Sequence, residues 1–273
     1  TNAPYLLKKH RSGARLGHDT TYDHMFLDGL EDAYEEGRAM GTFAQETANE
    51  YQLTREQMDD YSIESLRRAN AAIDSGAFDG EVVPVTFSTR AGEQTVDKDE
   101  APGKGKPDKI PQLRPAFAKD GTITAATSSS ISDGAAAVVL SRESVAKENG
   151  QEPVAKIVAM AAHAQEPSEL TVAPVGAIEK VLKSAGWSAD EVDLWEVNEA
   201  FACVAMFAMR DIGIPHDKIN VNGGGTALGH PIGASGTRII VTLLNALKQQ
   251  GKKRGIASLC IGGGEATAVA VEM

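Results

Sequence analysis

Trp195-Glu196-Val197-Asn198-Glu199-Ala200-Phe201 opens the C-terminal third of the chain, and its reading decides the rest. An apolar run ends there in a polar loop. The same texture returns in Asn222-Gly223-Gly224-Gly225-Thr226-Ala227-Leu228-Gly229-His230-Pro231 and in Cys260-Ile261-Gly262-Gly263-Gly264. Each loop follows a short apolar run that reads as a buried strand, over residues 192–197, 218–221 and 256–261. Strands that end in loops carrying Asn, His and Cys between glycines are how α/β proteins build a site at one edge of a sheet. The chemistry is expected there.

Working outward, strand and helix signals alternate from Pro153 onward. Strands are expected over 154–162 and 192–197, helices over 174–185, 200–212 and 235–249, and a closing hairpin over 256–261 and 266–271. That alternation makes an α/β layered fold. Upstream, residues 43–75 read as helical, with Thr54 as N-cap, Gln57 at the reciprocal capping position and Gly76 as the stop. Residues 81–89 read as a strand. Residues 97–112 are rich in Pro, Gly and Lys and read as a long mobile loop. Its Lys104, Lys106 and Lys109 form a basic patch that suits an anionic ligand such as a nucleotide phosphate. Residues 1–24 read as an exposed polar loop with Lys8, Lys9, His10, Arg11 and Arg15, either solvated surface or an oligomer contact or anion site. From Thr122 the sequence turns small, apolar and hydroxyl-rich. That texture fits a tight turn under a helix or a loop that hydrogen-bonds an amide-bearing ligand.

The chain has 273 residues and a formal net charge of −11. That charge argues against nucleic acid as the main partner, because phosphate neutralisation needs a basic face. No apolar run reaches membrane-spanning length. Two cysteines, Cys203 and Cys260, make a disulfide framework unlikely and favour a reducing compartment, here the cytoplasm. The sequence starts Thr1-Asn2-Ala3-Pro4, so either a leading Met is removed or this is the back portion of a longer polypeptide, and localisation does not follow from the missing targeting pattern.

The Gly223–Gly229 run fits a dinucleotide fingerprint poorly. Its glycines are spaced Gly-x-Gly-x-x-x-Gly, no acidic residue follows about twenty positions on, and there is no Gly-Lys-Ser/Thr. His230, between Gly229 and Pro231, fits a structural role or a rigidly held, accessible imidazole for base work or oxyanion donation. Cys260 fits a buried small hydrophobe, as Cys203 does in its apolar helix. The amides of Gly262 and its neighbours, with a nearby His, would instead favour its thiolate as base or nucleophile. Asn198 exchanges no proton and suits positioning a water or ligand.

Asn198-Glu199-Ala200-Phe201, Gly229-His230-Pro231 and Cys260-Ile261-Gly262-Gly263-Gly264 together resemble the three C-terminal active-site motifs of the thiolase family, the acetyl-CoA acetyltransferases and 3-ketoacyl-CoA thiolases. The likeness extends to Gly41-Thr42, Leu113-Arg114-Pro115-Ala116-Phe117 and Asp133-Gly134-Ala135-Ala136. The resemblance implies a layered αβαβα fold with an incomplete N-terminal half. Its parts would be a loop domain at 1–120, the end of the N-terminal half at 121–150 and the C-terminal half at 151–273. It implies reversible Claisen condensation and thiolysis of acetyl-CoA and 3-ketoacyl-CoA, with coenzyme A thioesters as substrates and neither cofactor nor metal. His230 would activate the nucleophilic thiol and, with a water held by Asn198, stabilise the thioester enolate. Cys260 would move the α-carbon proton, and the Gly262 amide would hold an oxyanion. Ser129 would hydrogen-bond the pantetheine arm, Met40 and Phe201 would line the acyl channel, and Lys104 or Lys106 would meet the CoA phosphate.

Two departures qualify this. The family's nucleophilic cysteine falls upstream of the position matching Thr1, so the chain is expected to be inactive alone and to need an N-terminal thiolase segment. Ala39 stands where many short-chain thiolases carry His. The basic segment 8–15 matches the loop through which relatives associate, which implies a homodimer or homotetramer. The alternatives are a non-catalytic CoA- or lipid-binding thiolase-like protein, and a Thr1 that is itself an N-terminal nucleophile.

Overall fold

A computed structural model of the protein describes residues 2–273. Thr1, and with it the N-terminal-nucleophile reading, lies outside the described residues. The first segment is not a plain loop. Strand β1 (Tyr5–Leu6) pairs antiparallel with β2 (Tyr22–Asp23), and Lys8 Nζ reaches Glu36 at 3.1 Å while sitting 4.1 Å from the Tyr22 ring centroid. The helical stretch expected over 43–75 is two helices, α1 (Met40–Glu50) and α2 (Arg55–Asp74). Gln52, at φ 57, breaks it. Thr54 then starts α2 with the reciprocal cap: Gln57 N donates to Thr54 Oγ1 at 3.2 Å, and Thr54 N donates to Gln57 Oε1 at 2.9 Å.

The strand expected over 81–89 is shorter, β3 (Val85–Thr89), and pairs with β4 (Gly92–Val96) as an exposed hairpin. Glu81 is drawn elsewhere: its carboxylate accepts from Thr242 Oγ1 at 2.9 Å and Asn245 Nδ2 at 3.0 Å. The loop expected to be mobile over 97–112 is ordered, as helix α3 (Glu100–Lys104) and a 3-10 turn over Pro107–Gln112. Ile110 is buried with Leu66, Ala69 and Ala227, and Arg55 Nη2 donates to the carbonyls of Ile110 and Leu113, both at 3.0 Å. Burial of Ile110 and Pro102, with the Arg55 hydrogen bonds, holds a segment whose composition reads as mobile.

Residues 132–142 adopt no regular structure, and Val139 is 96% exposed there. Helix α4 (Glu143–Glu148) follows.

The C-terminal part is a four-stranded sheet built from β5 (Lys156–Ala164), β6 (Leu194–Val197), β7 (Arg254–Ile261) and β8 (Glu265–Glu272), in the order β5-β8-β7-β6. β6 and β7 are parallel; the other pairs are antiparallel. Between them run α5 (Ala173–Ala185), α6 (Ala202–Ile212), α7 (Gly225–Leu228) and α8 (Ser235–Gln249). The strand expected over 218–221 is a single bridge from Ile219 to Trp195. Asn220, at φ 45, turns the chain instead, and its side chain takes over the ladder: Oδ1 accepts from Val197 N at 2.9 Å and Nδ2 donates to Val197 O at 2.8 Å.

Strand alternation sorts the side chains onto two faces. Trp195, Val197, Ile256, Cys260, Ala266, Ala268 and Ala270 join α5 and α6 in the main core. Leu194, Ala257 and Val271 join Ile239, Leu243 and Leu247 of α8 in a second one. α8 lies over β6 and β7. Beside it an apolar groove of 440 Å³ runs over the rest of that face, lined by Met160, Ile240, Leu259 and Val269 among others.

Candidate active site

The site lies where β6 and β7 end side by side. Their parallel pairing continues one residue past β6, since Asn198 N donates to Ser258 O at 2.9 Å, and Cys260 is the next-to-last residue of β7. His230 arrives from the loop between α7 and α8, tied down by its own N–H donating to Ser130 O at 3.0 Å. Its Nε2 is 3.5 Å from Asn198 Nδ2, and its Nδ1 is 2.5 Å from Ser235 Oγ. The Ser235 hydroxyl donates to Pro231 O at 3.0 Å, so its oxygen accepts from His230 Nδ1–H. That fixes the tautomer: Nε2 carries a lone pair, turned toward the Asn198 amide. The Asn198 Oδ1 atom is buried without a protein partner among the described residues.

Burial, and after it the charge of Arg238, push the His230 pKa down to about 4, so the imidazole is neutral at physiological pH. Burial pushes the Cys260 thiol up to about 12. Burial acts in the opposite direction to the glycine amides and histidine of the thiolate reading, and fits the alternative of a buried small side chain. The low-polarity surroundings in the main core favour the protonated thiol. Cys203 is fully buried in α6, and burial raises its thiol further still.

Glu199, next to Asn198, anchors the loop. Its carboxylate accepts from Tyr61 Oη at 2.8 Å, Ser65 Oγ at 2.8 Å, Asn220 Nδ2 at 2.8 Å, Thr226 N at 3.1 Å and Thr226 Oγ1 at 2.7 Å. This explains the Gly223-Gly224-Gly225 run without any phosphate. A Cβ on Gly224 would lie 2.3 Å from Glu199 Cδ, and one on Gly225 would lie 2.7 Å from Glu199 O. The glycines let two backbones close on a carboxylate.

Of the other sequence-predicted residues, several converge on the same place. Ser129 N and Oγ both donate to Ala200 O at 2.9 Å, and Ser128 bridges Phe201. The Phe201 ring meets Phe117 edge-on with centroids 5.9 Å apart. Met40 begins α1 with its Sδ 3.5 Å from where a Gly262 Cβ would stand. Lys104 is not drawn in: its Nζ pairs with Glu100 at 2.7 Å within α3. Lys106 sits just beyond, at the start of the 3-10 turn. Sequence reasoning missed Ser235, Glu199, Tyr61 and Ser65 as supports. The i, i+4 polar pair Tyr61 and Ser65 on an otherwise apolar helix face was the available signal.

A layered α/β protein with an imidazole, a carboxamide and a thiol at the ends of two parallel strands is the class these features define. Comparison with known proteins narrows it. Two family models match: "Thiolase, N-terminal domain" over residues 1–144 and "Thiolase, C-terminal domain" over residues 151–273. The chain is 46% identical over 276 residues to acetyl-CoA acetyltransferase 2 of Arabidopsis thaliana, covering 100% of this chain and 68% of that protein. It is 46% identical over 272 residues to acetyl-CoA acetyltransferase of Escherichia coli strain K12, covering 99% and 69%. The solved Bacillus anthracis acetyl-CoA acetyltransferase superposes with a TM-score of 0.93 at 41% identity, over 98% of this chain and 68% of that one. Human mitochondrial 3-ketoacyl-CoA thiolase gives 0.89 at 35%, over 99% and 68%. The chain belongs to the thiolase family. It spans about two thirds of the length of these relatives.

Proposed function

We propose that residues 1–273 carry the enolate-binding and proton-transfer part of an acyl-CoA C-acyltransferase that interconverts acetyl-CoA and 3-ketoacyl-CoA. The observation that carries this reading is the His230 imidazole held by Ser235 with its Nε2 3.5 Å from the Asn198 amide, at the end of the strand that runs parallel to the one bearing Cys260. In the thiolysis direction a cysteine thiolate attacks the 3-keto carbon, and the C2–C3 bond breaks. The electron pair leaves as the acetyl-CoA enolate. Asn198, through a water, and His230, once it has taken the nucleophile's proton, bind the enolate oxygen, and the Cys260 thiol returns the proton at C2. A thiol with a raised pKa suits that last step as donor. The Gly262 amide, beside Met40, holds the acyl-enzyme oxyanion, and Ser129 faces the pantetheine arm.

Neither cysteine of the chain suits acyl transfer itself. Cys203 is packed inside α6, and Cys260 is committed to the α-proton. The acyl-accepting thiol then comes from residues outside 1–273, so the chain alone neither condenses nor cleaves. The substrates are CoA thioesters, no cofactor takes part, and the assembly is a homodimer or homotetramer. Two free thiols suit a reducing compartment such as the cytoplasm.

The test adds the upstream, cysteine-bearing segment of a relative to the chain and follows acetoacetyl-CoA by its thioester absorbance in the presence of CoA. Turnover with both parts, and none with either alone, His230→Ala or Cys260→Ala, is expected. CoA-thioester binding without turnover when both parts are present would favour the non-catalytic binding protein instead.

A further inference from the structure

On β5, the strand at one side of the sheet, stands a histidine that the proposed chemistry does not use. His163 pairs with Ala266 of β8, and Ala266 pairs in turn with Cys260 of β7. Residues paired across a sheet share a face, so His163 and Cys260 lie in one row with Ala266 between them. Two strand spacings separate them by about 10 Å, so the ring does not touch the thiol. It is wedged against α5 instead. A Cβ on Gly176 would stand 2.6 Å from His163 Cε1 and Nε2, so the ring fits there only over a glycine.

The link to the thiol runs through Gln165. His163 Nε2 is 2.8 Å from Gln165 Oε1. The Gln165 amide nitrogen donates to the Glu169 carbonyl and to Glu169 Oε2, both at 3.1 Å, so its oxygen is the end that faces the ring. His163 Nε2–H is therefore the donor, and Nδ1 carries a lone pair that is buried without a partner among the described residues. The main chain of Gln165 in turn meets the turn that follows Cys260: Gln165 N donates to Gly264 O at 3.0 Å, and no Cβ would fit between Gly264 and the Gln165 carbonyl. From the other direction Met40 Sδ and Tyr34 Cε2 stand 3.5 Å from where Cβ atoms of Gly262 and Gly263 would be. We propose that His163 is a positioning residue for the Cys260–Gly264 turn. Its Nε2–H fixes the Gln165 side chain against Glu169, and Gln165 then keeps the sulfur and the Gly262 amide in one relative position. The catalytic purpose of this clamp rests on the acyl-transfer reading; the clamp itself does not.

The experiment is alkylation of the two thiols of the full chain by iodoacetamide, read for each cysteine by peptide mass spectrometry. A thiol as buried as Cys260 reacts through local opening of its turn, and Cys203, buried in α6, is the internal control. His163→Leu keeps bulk over Gly176 and removes the donor. It is expected to speed Cys260 alkylation by about fivefold, the effect of one lost hydrogen bond on local opening, with the Cys203 rate unchanged. His163→Gln, whose amide returns a donor close to the Nε2 position, is expected to restore the natural rate. An unchanged Cys260 rate in His163→Leu, equal acceleration of both cysteines, or the same acceleration in His163→Gln overturns the proposal. If His163→Leu does not fold, Gln165→Leu decides, because it removes the acceptor and leaves the ring over Gly176. Faster alkylation of Cys260 alone supports the clamp there, and an unchanged Cys260 rate overturns it. No CoA thioester enters this measurement, so its failure is distinct from failure of the acyl-transfer reading.

Discussion

The two faces of the C-terminal sheet are made by alternate residues of the same strands, yet they end in different states. On the α5 and α6 face, Trp195, Val197, Ile256 and Ala270 are at most 1% exposed. On the other face α8 covers β6 and β7, while over β5 and β8 the groove stays open and Met160 is 72% exposed. The site sits at the strand ends between them. His230 and Ser235 come from the α8 side, and Cys260 is packed in the α5 and α6 core. Stability is concentrated on one face, and room for further structure is left on the other.

Substitutions break or sharpen that contrast. Phe207→Ala, deep in the covered face, should cost about 3–5 kcal/mol in urea unfolding, the usual range for an aromatic cavity. Glu199→Ala leaves the Tyr61, Ser65, Asn220 and Thr226 donors facing a void, and a loss of at least about 3 kcal/mol is expected by the same measurement. pH acts next, on two groups of the α8 side. The Glu196 carboxyl has a folded pKa near 8 against an ordinary 4.5, so it is protonated in the fold while the unfolded chain ionises. Its contribution is fully present below pH 4.5 and is lost as pH rises to about 8, and the unfolding midpoint of Glu196→Gln should fall less over that window. His230 runs the other way. Its pKa drops from 6.5 to about 4, so its contribution is present above pH 6.5 and is lost on acidification. Thr54→Ala removes one half of the α2 cap and should cost about 1 kcal/mol. Met160→Ser, on the open face, should change unfolding by less than about 0.5 kcal/mol. A large effect there would mean the groove is closed in solution.

Much of this was legible in the sequence. Helices and strands of the C-terminal part follow from hydrophobic period and turn residues. Asn198 and Cys260 lie at the ends of neighbouring strands as the apolar runs before them implied, and His230 comes within 3.5 Å of Asn198 although the strand expected before its loop does not form. What was not legible depends on residues far apart in the chain. The 97–112 segment is ordered because Ile110 meets Leu66 and Ala227, which local composition does not record. The strand at 218–221 fails because the Asn220 side chain replaces a ladder. The Cys260 thiol stays protonated because distant helices dry its surroundings, where the glycines beside it suggested the opposite. Likewise, no spacing rule reveals that five donors converge on Glu199.

The turn after Cys260 carries one more consequence. Gly264, at φ 78, is so close to the carbonyls of Gln165 and Glu166 that a Cβ would stand 2.5 Å from each, and Gln165 N donates to Gly264 O at 3.0 Å. The thiol-bearing hairpin is thus riveted to the far end of β5, the strand that flanks the open groove. Its address in the site is set from the sheet's outer edge, on the far side from His230. Anything that leans on β5 from the groove side has a mechanical hold on where that sulfur sits.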